Sequence, residues 1–120
     1  MSALRKWDVV LLAYPFTDRS ATKVRPAVVI SPDAENGALD DAVFLLITSN
    51  VTRRSAFDVV IDVSHPEFSV SGLKVASAIR VNKMLTLHEK LFHRKLGRLG
   101  PQLQEAVMSR LAEFLEIERV

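Results

Sequence analysis

Two short stretches of the sequence place phosphate-binding groups at the ends of apolar runs. In "TKVRPAVVIS" (22–31), Lys23, Arg25 and Pro26 stand directly before a run of β-branched residues. In "LLITSN" (45–50), an apolar run ends in Thr48, Ser49 and Asn50, and Thr52, Arg53 and Arg54 follow. A guanidinium held at a strand mouth presents a fork that matches two phosphate oxygens, and hydroxyls beside it can bind a third. Taken one at a time, these residues have a plainer account. An Arg-Pro pair beside a turn is commonly solvated, and Thr, Ser and Asn at a strand end commonly satisfy local backbone groups. It is Arg25 together with Thr48 that points to phosphate chemistry.

Strands must position both. "WDVVLLAY" (7–14), "AVVIS" (27–31), "AVFLLITS" (42–49), "FDVVIDV" (57–63) and "LKVASAIRV" (73–81) are short runs rich in Val, Ile and Phe, bounded by Pro, Gly, Asp, Asn or Ser. Their close spacing predicts antiparallel neighbours, and the continuously apolar runs predict a sheet covered on both faces or curled into a small barrel. Pro26 cannot donate to a ladder, so it is expected at the first residue of its strand, with "YPFTDRSATK" before it as a long loop. "LFHRKLGRL" (91–99) reads either as a sixth short strand or as a run into a turn at Gly97 or Gly100. In "GPQLQEAVMSRLAEFLEI" (100–117), Leu103, Val107, Leu111, Phe114 and Leu115 recur at helical spacing, and Pro101 suits a first helical position. This predicts a C-terminal amphipathic helix packed on the sheet.

Composition bounds the remaining choices. A chain of 120 residues is one domain by length, 1–120, and a domain of this size buries roughly two-thirds of the surface its unfolded chain exposes. The absence of cysteine removes disulfides, a thiolate nucleophile and Cys-based zinc sites. No segment approaches the roughly 20 apolar residues that span a bilayer, and Met1 to Asp8 lacks the apolar core of a secretory signal, so a soluble cytoplasmic protein is expected. Lys and Arg against Asp and Glu count five to six over residues 1–50, nine to four over 51–100 and two to four over 101–120, which puts the positive charge in the middle. His65, His88 and His93 show no ligand spacing, and no metal or other cofactor is expected.

The order of these motifs resembles the MazF/PemK-type growth-inhibitor toxins of bacterial toxin–antitoxin systems. The resemblance runs from "KWDVVLLAYPFTD" through "KVRPAVVIS", "LLITSN" and "GLKVASAIRVNKMLTL" to "RKLGRLGPQLQEAVMSRLAEFL", nearly the whole chain. It implies a mainly β, α+β fold, an SH3-like small barrel of antiparallel strands with a C-terminal helix, working as a homodimer. It also implies a metal-independent endoribonuclease that cuts single-stranded RNA to a 2′,3′-cyclic phosphate and a 5′-hydroxyl, held in check by a cognate antitoxin. The family's catalytic arginine and threonine fall on Arg25 and Thr48. The residues expected to contact RNA around them are Phe16, Thr17, Lys23, Ser49, Asn50, Arg53, Arg54, Lys74, Ser77 and Arg80.

The chain departs from the pattern in one place. Some members carry an Arg-x-Asp-Gln motif after the glycine of the later strand, and here the corresponding positions, aligned from Gly72, are Val75 and Ser77. That makes the chain look like the branch relying on the arginine and threonine, with Arg80 at a basic position widely seen after that motif. Two alternatives stand beside the nuclease: a protein-binding poison on the same scaffold, as in the related CcdB gyrase inhibitors, and a degenerate module that binds only the antitoxin. A phosphate site at Arg25 and Thr48 favours the nuclease, because a pure protein binder has no need of one.

Overall fold

The computed structural model describes residues 3–14, 23–52 and 55–119. Six strands form one antiparallel sheet: β1 (Asp8–Tyr14), β2 (Lys23–Val29), β3 (Asp41–Thr48), β4 (Val59–Ile61), β5 (Ser77–His88) and β6 (Phe92–Arg98), in the order β4-β5-β3-β2-β1-β6. Among the described residues three α-helices accompany it: α1 (Asp33–Ala38), α2 (Phe68–Ser71) and α3 (Pro101–Leu115). The mainly β architecture with a C-terminal helix is thus borne out, and 91–99 resolves into a sixth strand. Gly97 lies inside that strand, and Gly100 is the N-cap of α3. The two short helices α1 and α2 carry no sequence period long enough to announce them.

The apolar runs are continuous because both faces of the sheet are covered. On one face Val9, Val28, Leu45, Ile47, Ile61, Ile79 and Val81 pack with Leu103, Val107 and Leu111 of α3. On the other, Val10, Leu12, Ala27, Val29, Ala42, Phe44 and Leu87 gather with Leu4. The alternation of Leu45 and Ile47 with Ala42 and Phe44 is the two-residue period of a pleated strand. Side chains of β4, β5, β3, β2 and β1 share the first core with α3, with Leu96 of β6 packed against it, so the curled sheet and the helix enclose one core. Trp7 belongs to this core and adopts a positive φ of 76°. The C-terminal end of the predicted helix stripe is different: Phe114 and Leu115 are exposed, although Phe114 keeps an edge contact with Phe57, ring centroids 5.4 Å apart.

Pro26 corrects one expectation. It sits in the middle of β2, opposite Leu11 of β1, and does not open the strand. The ladder between β2 and β3 covers only Ala27 to Val29, so the strand side that lacks a proline N–H is unpaired at Pro26. What the proline marks is the point where β2 and β3 part, and Arg25 stands just beyond it.

Two close approaches lock the end of the sheet that carries these residues. A Cβ on Gly72, whose φ is +76°, would lie 2.1 Å from the Leu96 carbonyl oxygen, and one on Gly97 would lie 2.4 Å from that of Val70. Only glycines let α2 settle on β6. On the opposite edge of β6, buried Asp8 places Oδ1 3.1 Å from Lys95 Nζ and 3.7 Å from Arg98 Nη1, tying β6 to β1.

Candidate functional site

The parting of β2 from β3 opens the sheet at one end, and two cavities adjoin there. The larger, about 320 Å³, is lined by apolar Leu11, Pro26, Ile47, Leu73 and Leu96 and by polar Arg25, Lys74, Arg94, Thr48, Ser49 and Ser77. The smaller, about 240 Å³, is lined by Tyr14, Arg25, Leu46, Ile47, Thr48, Arg80 and Lys83. Arg25, Ile47 and Thr48 line both. The strand pleat explains why Arg25 and Thr48 meet: each continues the row of its own strand that contains Ala27 and Val29, or Phe44, in the second core. No carboxylate lines either cavity among the described residues, so the local field is positive.

The hydroxyls are differently committed. Thr48 Oγ1 accepts from the Asn50 amide at 3.0 Å, which leaves its own proton free to donate. Ser77 is buried and gives its proton to the Val75 carbonyl at 2.9 Å, so it shapes the wall and offers only lone pairs. Asn50 Oδ1 accepts from the Thr52 amide at 3.2 Å and from the Thr52 hydroxyl at 2.7 Å, closing a local turn. Asn50 therefore acts as a turn former and lines neither cavity. Lys23 is exposed opposite Tyr14 and also lines neither. Phe16, Thr17, Arg53 and Arg54 lie outside the described residues.

Arg80 reaches the smaller cavity, but it also has a partner that sequence reasoning did not supply. Its Nε stands 3.2 Å from Oδ1 of Asp58, whose side chain is 1% exposed. Lys83, Arg94 and Tyr14 are further members that the sequence reading did not assign to the site. Arg94 enters because β6 places it opposite Leu11, itself opposite Pro26, a relation only strand register reveals. The histidines are elsewhere: His65 Nδ1 accepts from the Glu67 amide at 2.9 Å and His88 Nδ1 from the Lys90 amide at 3.0 Å, each capping a short turn. His93 lines neither cavity. With no imidazole at hand among the described residues, the side chains present offer charge and hydrogen bonds to an anion more than proton transfer.

No helix among the described residues is long and apolar enough to cross a membrane. A search of curated proteins finds no match to the chain. Among solved structures, the Mycobacterium tuberculosis toxin MazF-mt6 is similar at 18% identity and a TM-score of 0.75, over 93% of this chain and 99% of that one. An endoribonuclease from a mycobacterial species, in complex with its cognate antitoxin, is similar at 19% identity and a TM-score of 0.75, over 98% and 100%. MazF from Deinococcus radiodurans is similar at 20% identity and a TM-score of 0.73, over 94% and 96%. These likenesses carry the fold. A family model described as the PemK-like, MazF-like toxin of type II toxin–antitoxin systems matches residues 5–115, nearly all of the curled sheet and its helix, and the chain belongs to that family.

Proposed function

We propose that this chain is an RNA-cleaving toxin whose reaction centre is Arg25 and Thr48. The observation that carries the reading is that, among the described residues, these two and Ile47 are the ones that border both cavities at the open end of the sheet. An anion bound between them touches a guanidinium fork and a hydroxyl donor. The substrate is single-stranded RNA, whose unstacked backbone can follow a narrow groove. The ribose 2′-oxygen attacks the adjacent phosphorus while the bond to the 5′-oxygen breaks, leaving a 2′,3′-cyclic phosphate and a free 5′-hydroxyl. The nucleophile loses one proton and the leaving oxygen gains one, so no metal is required for balance. Arg25 stabilises the dianionic phosphorane, and Thr48 donates to a non-bridging oxygen. Lys74, Ser49, Ser77 and Arg94 border the path of the chain through the larger cavity.

An antitoxin partner is supported by the family, toxins of type II toxin–antitoxin systems, and by one mycobacterial relative described in complex with its own. The reading here is that a cognate antitoxin covers the same cationic groove and that the toxin acts as a homodimer. The decisive experiment incubates purified protein with a long unstructured RNA, with and without EDTA. Arg25→Ala should abolish cleavage with the fold intact, because the side chain is exposed where β2 has parted from β3. Undiminished cleavage by the folded variant would refute the assignment.

A further inference from the structure

The smaller cavity contains more cationic groups than one reacting phosphate requires. Beyond Arg25 it is lined by Arg80 and Lys83. These two are three residues apart on β5, a spacing that puts side chains on opposite faces of an unbroken strand. An irregularity in β5 undoes that. Its register against β3 jumps from Leu45↔Met84 to Leu46↔Arg80, so Val81, Asn82 and Lys83 are extra between adjacent β3 residues. The pleat inverts across the bulge: Ile79 and Val81 enter the core under α3, whereas Leu85 and Leu87 join the other core. Arg80 and Lys83 thereby come to one side. Bulges re-aim side chains in this way beside functional sites.

Arg80 is also held. Asp58 accepts from the Ser55 amide through Oδ2 at 3.1 Å and sets Oδ1 3.2 Å from Arg80 Nε, a contact of charges without an aligned hydrogen bond. A carboxylate this far from water is costly unless a cation stays beside it. The pairing engages the inner nitrogen of the guanidinium. Among the described residues, its two terminal nitrogens meet no protein acceptor, and the side chain borders the cavity.

We infer that Arg80 and Lys83 form a second phosphate subsite, for the phosphodiester next to the one held by Arg25 and Thr48, and that Asp58 is the residue positioning Arg80. The inference rests on the RNA-cleavage reading above. RNA carries one charge per nucleotide, and among the described residues the cavity wall presents two cations and no lining carboxylate, the Asp58 carboxylate standing behind Arg80 on its inner nitrogen, which suits the neighbouring charge. Two phosphates gripped in succession fix the direction of the strand across the sheet end.

The test uses a single-stranded oligomer that the wild-type protein cuts, and its uncuttable form with a 2′-deoxy residue at the cleavage point. Lys83→Gln removes an exposed cation. Asp58→Asn keeps an acceptor for the Ser55 amide while releasing Arg80. Each should weaken binding of the uncuttable oligomer, and raise KM with little change in kcat, by about tenfold, the scale of one charged hydrogen bond. The salt dependence of binding should lose about 0.7 in slope for each phosphate contact removed. Adding Asp58→Asn to Arg80→Gln should do nothing further, because the carboxylate acts through Arg80. A neutral methylphosphonate at one neighbouring phosphate should cost the wild-type protein at least the same factor and cost Lys83→Gln less, since only Arg80 then remains to lose its contact. Wild-type affinity and salt slope in folded Lys83→Gln would overturn the subsite, and so would indifference to both methylphosphonates. If Asp58→Asn does not fold, Lys83→Gln still decides. If Arg25→Ala cuts normally, the reaction-centre assignment fails, and the salt slopes still judge Arg80 and Lys83 separately.

Discussion

Helix α3 begins at Gly100, which has no side chain to cap it, and the cap comes from 33 residues earlier. Glu67 Oε2 accepts from the Gln102 amide at 2.9 Å and Oε1 from the Leu103 amide at 2.8 Å, placing a carboxylate on the positive end of the helix. Loss of a side-chain cap costs about 1 kcal/mol, and loss of a charge at a helix N-terminus about 0.3–1 kcal/mol more. With two amides released at a half-buried position, Glu67→Ala should cost about 2 kcal/mol, or on the order of 10 °C in Tm for a domain of this length. The structure also predicts how Gly100 enters. Its backbone, at φ −75° and ψ 172°, suits alanine, but a Cβ there would lie 2.4 Å from Glu67 Cδ and 2.6 Å from Oε2. The obstructing atoms end a flexible side chain, so Gly100→Ala should displace the cap and leave the backbone in place. Alone it should cost about 1 kcal/mol: the lost cap, offset by the roughly 0.4–1 kcal/mol that replacing glycine gains by restricting the unfolded chain. In the Glu67→Ala background only that gain remains, and the same substitution should become neutral or stabilising. Urea unfolding followed by circular dichroism, with unchanged m-values, measures all four proteins. An equal cost of Gly100→Ala in both backgrounds would refute the reasoning, because it would mean the new methyl group meets something other than the cap.

Thr48→Val preserves shape while deleting the hydroxyl, and should lower RNA cleavage by roughly 10²-fold, read in single-turnover assays with thermal unfolding as the control for folding. Gly72→Ala should cost about 3 kcal/mol or more, since at φ +76° its Cβ meets backbone at 2.1 Å and nothing flexible can yield; near wild-type stability would contradict the close approach of α2 to β6. Glu105 is held below its ordinary value of 4.5 by the hydrogen bond from Arg119 and then by its charge, and Arg119 is raised by the same pair. A depressed carboxyl contributes above its unfolded value and loses that contribution as pH falls through the folded one. The contact of residue 119 with α3 should therefore persist at neutral pH and loosen as pH falls through the lowered folded value of Glu105, visible in amide exchange of the last turn and weakened by salt. An antitoxin-derived acidic peptide and the uncuttable RNA should compete for one site; a ternary complex at full affinity would separate the two.

Much of the fold was legible because the physics behind it is local. Runs of Val, Ile and Phe at short spacing announced antiparallel strands, and Leu103, Val107 and Leu111 at helical spacing announced the buried stripe of α3, because periodicity is a property of neighbouring residues. Thr48 was legible as a strand-end group for the same reason, whereas Arg25, expected at a strand mouth, lies inside β2; the order of motifs around them pointed to the family. Helices α1 and α2 were not legible, being too short to show a period. Pro26 was misplaced by local reasoning, because a proline is tolerated inside a strand wherever one ladder stops short, and where a ladder stops depends on the partner strand.

The meeting of Arg25 with Thr48 belongs to tertiary structure. They are distant along the chain and come to border the same two cavities only because β2 and β3 pair at Ala27 to Val29 and then separate. Arg94 arrives through register across β1, Lys83 through a bulge that inverts the pleat, and Asp58 through burial beneath Arg80. Sequence alone determined which residues are capable of the chemistry, since charge, hydroxyl and strand propensity belong to single residues and their neighbours. Which of them share a cavity was decided by pairing, bulges and close glycine contacts, because those depend on the distance between segments far apart in the chain.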